Sequence, residues 1–347
     1  MNLLTELLPT DLDRTFVESP PLGTVDGDAH TYGDVADRAA RFAAALAGRG
    51  VRPGDRVVIQ VDKSLDALAL VLGCLHAVVF IPLNTAYTAA EVGYFVADAE
   101  ARLVIASPDH AAALRDVLPD VAIVEFDGDR DEAGPARSAR QSSLEPVEHP
   151  PLDGPGTDPA AMLYTSGTTG RSKGAILTHD SLLSNARVLH DAWAIEPDDT
   201  ICHTLPIFHV HGLFVAIFPL MLEGAVVRFR PRFDIDDVLA QLPTCSVLMG
   251  VPTHYVRLLG DDRFDRELCA HVRLFTSGSA PMTEQVHAEF TARTGRHIVE
   301  RYGMTETGIL TSNTLGEGGQ VPGTVGSHWP VTNCGWSTTP ALPCPRV

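Results

Sequence analysis

Short β-branched runs alternate with stretches of helical spacing, and this alternation constrains the fold more than any other feature of the chain. DRVVIQV (55–61), VVFIPL (78–83), RLVIAS (102–107) and VAIVEF (121–126) read as strands. KSLDALALVLGCLHA and TAAEVGYFVADAE (88–100) read as the helices between them. TYGDVADRAARFAAALAGRG (31–50) precedes them as a helix that closes on glycine. Strands separated by helices of this length pair in parallel through helical crossovers, so the expected class is α/β. PAAMLYTS then reads as a strand and THDSLLSNARVLHDAWA (178–194) as a helix. A second α/β series follows: VVRFR, IDDVLAQL, SVLMGVPTH, the helical YVRLLGDD, VRLFTSGSA and HIVERYGMTE. Residues 127–158 carry Pro, Gly, Ser and charge without periodicity and read as a long surface connection.

Charge narrows the partners. Acids outnumber bases 44 to 26 for a net charge of −18, which argues against nucleic acid or an anionic membrane as partner. An anionic ligand must be captured by a local cluster of donors. The run ALALVLGCLHAVVFIPL (67–83) is too short and too broken by Gly73, His76 and Pro82 to span a bilayer; it reads as a buried helix feeding a buried strand. The cysteines form no C-x-x-C pair and no zinc spacing with histidine, so reduced thiols and a cytoplasmic location are expected. MNLLTELLPTDLDRTF, with acids among its leucines, does not read as a signal peptide.

Four stretches carry chemistry. YTSGTTGRSKGA (164–175) follows a strand and combines glycines, hydroxyls, Arg171 and Lys173, the composition of a backbone nest for phosphate oxygens. Ser172 before Lys173 and Gly174 after it exclude a Walker A loop. ERYGMTETG (300–308) offers Glu306, useful near phosphates as a Mg²⁺ ligand, and Tyr302, a face for a purine; the bland alternative is a capped helix start. In LPIFHVHGLF (205–214), His209 and His211 share a face on a strand and diverge on a turn, with no third metal ligand nearby. SGSAP (277–281) is in isolation only a turn.

Together these stretches resemble, in order and spacing, the acyl-adenylate-forming superfamily of acyl-CoA synthetases, luciferases and peptide-synthetase adenylation domains. PLNTAYTAAEVGYFVADAEARLVIAS, the glycine-rich loop and LMGVPTHYVRLL look most like its malonyl-CoA synthetases. The resemblance runs from about residue 10 to 326. It implies the large N-terminal domain of an adenylate-forming enzyme, with parallel-rich sheets sandwiched by helices. The implied substrates are malonate or another short carboxylate, ATP with Mg²⁺, and CoA. The carboxylate attacks the α-phosphate to give acyl-AMP and pyrophosphate, and CoA thiol then displaces AMP. By resemblance Thr165, Ser166, Gly167, Thr168, Thr169, Gly170 and Lys173 hold phosphates, Glu306 holds Mg²⁺, and Thr305 touches the α-phosphate. Ser279, Ala280 and Pro281 with Tyr302 and Gly303 frame the adenine, and His209, Ser277 and Met304 line the acyl pocket. Catalytic roles fall to Thr165, Lys173, His209 and Glu306.

A second carboxylate must be paired when buried, and a guanidinium does so with two parallel hydrogen bonds. Arg257, in an otherwise apolar helix, is the candidate; its alternative is a surface arginine on that helix's polar face. Amino-acid-activating relatives commonly have Asp where this chain has His209, which disfavours an amino-acid substrate. Two alternatives stay open: a ligase for another short-chain or aryl acid, and a non-catalytic protein that keeps ATP and acyl pockets. HAVVFIPLN replaces the small glycines usual before PLN, so tighter packing is expected there. From Ser327, SHWPVTNCGWSTTPALPCPRV has no helix or strand periodicity and reads as a reading-frame slip. The expected organisation is a partial AMP-binding domain over 1–326 and an unstructured tail over 327–347. The resemblance further implies that the small C-terminal lid domain is absent and turnover impaired.

Overall fold

The computed structural model describes residues 3–21, 24, 27–76, 78–128, 155–165, 171–315 and 319–328. Their fold is α/β with two sheets, and the chain divides into two compact units. Met1–Val17, Ala29–Leu183 and Pro206–Leu213 form the first; Glu18–Asp28, Ser184–Leu205 and Phe214–Val347 form the second.

In the first unit, α1 (Leu3–Leu7) leads to α2 (Tyr32–Gly48), β3 (Arg56–Gln60), α3 (Leu65–Cys74), β4 (Val79–Pro82) and α4 (Ala89–Asp98). β5 (Leu103–Ala106), α5 (Pro108–Val117), β6 (Ala122–Glu125), β7 (Pro159–Thr165) and β8 (Lys173–Thr178) follow. The sheet order is β6-β5-β3-β4-β7-β8, parallel throughout except the final β7–β8 pair. Every residue of α3 and β4 is buried, so the apolar run is core, as its composition requires. Val78, Val79, Phe80 and Ile81 are buried where tight packing was expected. Among the described residues no helix is long and apolar enough to cross a membrane.

The second sheet has the order β15-β14-β13-β12-β11-β9-β10-β1-β2. β1 (Thr15–Ser19) and β2 (Asp28–Thr31) come from the start of the chain. β9 (Thr200–His203), β10 (Val226–Phe229), β11 (Val247–Gly250), β12 (Leu274–Ser277) and β13 (Ile298–Met304) are parallel neighbours. β14 (Gly308–Ser312) and β15 (Ser327–His328) continue from β13 antiparallel. The helices of this series are α7 (Phe218–Glu223), α8 (Ile235–Gln241), α9 (Pro252–Leu259) and α10 (Glu284–Thr294), while α6 (His179–Ala192) precedes β9. Tyr255, Phe264, Phe275 and Phe290 form the aromatic centre of the core under α9 and α10, with Tyr255 and Phe290 edge to face at 5.6 Å.

The structure completes or corrects three readings. KGAILT, left unassigned between the glycine-rich loop and the helix that follows, forms β8, so the loop closes a β-hairpin in which Thr165 faces Lys173. YGMTE does not start a helix, because β13 extends to Met304 and turns back into β14. Ser327 and His328, placed in the aperiodic tail by their sequence, pair with Ser312 and Thr311. Residues 329–347 and most of the 127–158 connection lie outside the described residues.

Candidate functional site

The hairpin stems belong to the first unit. β7 and β8 pair from Pro159–Thr178 to Thr165–Lys173, which brings the loop's two ends together. Gly174 packs closely here: a Cβ would lie 2.7 Å from Met162 Sδ, so a larger residue would displace the Met162 side chain. Lys173 and Arg171 are exposed and Thr165 is half-buried. A cavity of about 500 Å³ beside the stem is lined by Tyr94, Asp98 and Arg171 to Gly174. The loop crest, Ser166, Gly167, Thr168, Thr169 and Gly170, lies outside the described residues.

His209, also of this unit, is exposed and its Nδ1 accepts the His211 backbone N–H at 3.1 Å. His211 is buried and opens a π-helical turn, His211–Val215. The two histidines therefore diverge, since the chain turns between them rather than continuing as a strand. π-turns of this kind frequently mark functional sites.

In the second unit the remaining motifs meet on adjacent strands. Ser277 ends β12 and stands in register with Glu300 of β13. Ser279 has φ +68, a left-handed conformation rarely adopted by non-glycine residues, and Ala280 and Pro281 follow it at the surface. Tyr302 and Met304, two residues apart on β13, are 47% and 44% exposed. Thr305 and Glu306 occupy the β13–β14 turn, closed by Thr307 N–H on the Met304 carbonyl.

Asn185, unremarked in the sequence, fixes that turn. Its amide donates to the Ile309 carbonyl at 3.1 Å and accepts the Ile309 N–H at 3.3 Å. Gly308 has φ +65 and leaves no room for a Cβ beside the Asn185 amide. Glu300, the first residue of the motif, accepts from His287 at 2.6 Å and from the Met282 N–H at 3.3 Å, tying β13 to the end of SGSAP.

The residue that sequence reasoning passed over is Arg301. It is 5% exposed, and its Nε and Nη2 have no hydrogen-bond partner among the described residues. The buried hydroxyls of Thr276 and Ser277, on the neighbouring strand, also have no partner among the described residues. Gly278 lies flat against the guanidinium, where a Cβ would stand 2.5 Å from Cζ. Burial pulls the Arg301 pKa down to about 10, which leaves it charged at neutral pH. The available signal was an arginine two residues after the apolar pair Ile298–Val299, inside the quoted motif ERYGMTETG but given no role there.

Arg257 behaves otherwise. It is exposed on α9 and lies over the Phe233 ring at 4.8 Å, as a surface arginine does. His254 stacks on the same ring at 4.0 Å, its pKa pulled down to about 4 by burial and then by the Arg257 charge.

Among the described residues no group of three or more His, Cys, Asp or Glu could enclose a metal. A single exposed carboxylate, Glu306, fits Mg²⁺, a hard cation that keeps waters and takes substrate phosphates beside one or two carboxylates.

Comparison with known proteins gives this geometry a context. The sequence pattern of AMP-binding enzymes matches residues 10–336. The chain is 30% identical to "Malonate--CoA ligase" of Arabidopsis thaliana, over 88% of this chain and 56% of that protein. It is 32% identical to "Sulfoacetate--CoA ligase" of Cupriavidus necator, over 90% and 61%. The crystal structure of ATP-bound MatB from Rhodopseudomonas palustris superposes with a TM-score of 0.87 at 41% identity, over 95% of this chain and 64% of that one. The chain thus spans little more than half the length of these curated relatives.

Proposed function

The chain belongs to the AMP-binding enzyme family, and we propose that it serves an ATP-dependent acid–CoA ligase whose acid carries a second anionic group, malonate above all. The observation that carries this reading is Arg301. A buried guanidinium with two unpartnered donors is costly to leave alone, and a carboxylate that accepts both in parallel removes the cost. Acetate or benzoate would leave it unpaired, which disfavours the monocarboxylate alternatives. The malonate and sulfoacetate named for two relatives both carry the required second anion. Arg257, exposed and stacked on Phe233, is the weaker candidate for this contact.

In this reading Thr165 and Lys173 bind phosphate oxygens from the hairpin. Tyr302 and Ser279 to Pro281 frame adenine, and Thr305 contacts the α-phosphate. Glu306 holds Mg²⁺, which neutralises phosphate charge when bound. Arg301 orients the acid by its distal end, so that the other carboxylate is free to attack the α-phosphorus; pyrophosphate leaves, and CoA thiol then displaces AMP. The nucleophile belongs to the substrate, so the protein's contribution is positioning and charge.

Single-turnover pyrophosphate formation tests this, with stoichiometric chain, MgATP and one acid at a time. Malonate and sulfoacetate should exceed acetate and benzoate. Equal or faster formation with acetate or benzoate would overturn the assignment.

A further inference from the structure

Resting on the AMP-binding reading, we infer that Tyr94 and Asp98 of α4 are positioning residues that fasten both stems of the phosphate hairpin and so set Thr165 and Lys173 in place. The two lie one helical turn apart, so their side chains leave the same face of α4. Tyr94 hydroxyl donates to the Ser172 carbonyl at 2.8 Å, on the outgoing stem. Tyr164 hydroxyl donates to Asp98 Oδ2 at 2.7 Å, on the incoming stem. Each contact sits one residue from a phosphate-binding candidate: Tyr164 precedes Thr165 and Ser172 precedes Lys173.

The rings reinforce the hydroxyls. Tyr164 packs on Phe95 at 4.5 Å and meets Tyr94 at 6.4 Å, edge on. Burial and the Asp98 carboxylate push the Tyr164 phenol well above its ordinary pKa, so it remains a donor throughout the neutral range. Arg171 lies 5.9 Å from the Tyr94 ring centre, which draws a cation of the loop toward the same helix. Glycines and small polar residues give a loop little packing of its own. One helix holding both ends confines the stems without filling the space that phosphates need.

The test uses the full chain and the variants Tyr94→Phe and Tyr164→Phe, each of which removes one of the two fastening hydroxyls and keeps the ring. MgATP and AMP affinities, thermal midpoint and the rate of trypsin cleavage after Arg171 and Lys173 are measured together. Losing one hydrogen bond should weaken MgATP binding about fivefold. AMP, which lacks the outer phosphates, and the thermal midpoint should stay at wild-type values while cleavage accelerates. MgATP affinity at the wild-type value in both variants overturns the inference, whatever the cleavage rate. ATP and AMP affinities falling together with the midpoint would show a merely structural role and overturn it too. A wild-type chain that binds neither nucleotide removes the AMP-binding reading itself, and this inference with it.

Discussion

Arg301 keeps its charge at 5% exposure while two of its donors find no acceptor among the described residues, and Gly278 supplies the flat wall that lets it lie there. Arg257 spends its charge on an exposed ring stack instead. Sequence made Arg257 conspicuous because its helix is apolar, yet residue type alone does not reveal which arginine the core surrounds. The glycine-rich loop stood out by its local composition, whereas SGSAP drew notice only through the resemblance; Asn185 and Glu300 did not stand out, since they act on backbone far from them in sequence. His254 gives a residue-scale prediction. Burial holds its folded pKa near 4 against an ordinary 6.5, so between those values the unfolded chain binds more protons. Its contribution to stability is therefore complete above pH 6.5 and lost as pH falls toward 4. Urea midpoints at pH 7.5 and pH 5 should differ more in wild type than in His254→Gln, and an identical pH response would disprove the assignment.

At the scale of elements, α4 shows how local signals and tertiary duty combine. Thr88 caps the helix with a reciprocal box: its hydroxyl accepts the Glu91 N–H while the Glu91 carboxylate accepts the Thr88 N–H. The T-A-A-E spelling and the apolar periodicity made this helix readable in advance. Thr88→Ala should cost about 1 kcal/mol of unfolding free energy in chemical denaturation; no measurable change would show that packing alone sustains the helix end. β8 was not readable, because KGAILT carries Ile176 outward at 55% exposure and is strand only through its pairing with β7. α5 went unread for the opposite reason: only Ala111 and Leu114 of its ten residues are buried, so the apolar stripe is narrow.

Across the whole molecule the parallel series were legible and the long-range closures were not. Arg228 binds Glu18 at 2.8 Å, and Arg230 binds Asp237 through Nε at 2.7 Å while its other donors reach the Pro20 and Pro21 carbonyls. These contacts bring Glu18–Asp28 into the second unit across some two hundred residues of chain, and no local pattern announces them. The strand alternation did announce parallel pairing through helical crossovers, because the crossover lengths leave few other arrangements. What the assembled chain is for turns on Arg301. The most direct measurement is calorimetric binding of malonate and of acetate to the chain saturated with a non-hydrolysable MgATP analogue, in wild type and in Arg301→Leu. Losing a charge-assisted contact of this kind should cost about 1.5–3 kcal/mol. Wild type should therefore prefer malonate by one to two orders of magnitude, and Arg301→Leu should lose that preference. Equal affinity for the two acids in wild type, or a preference that survives in Arg301→Leu, would contradict the account.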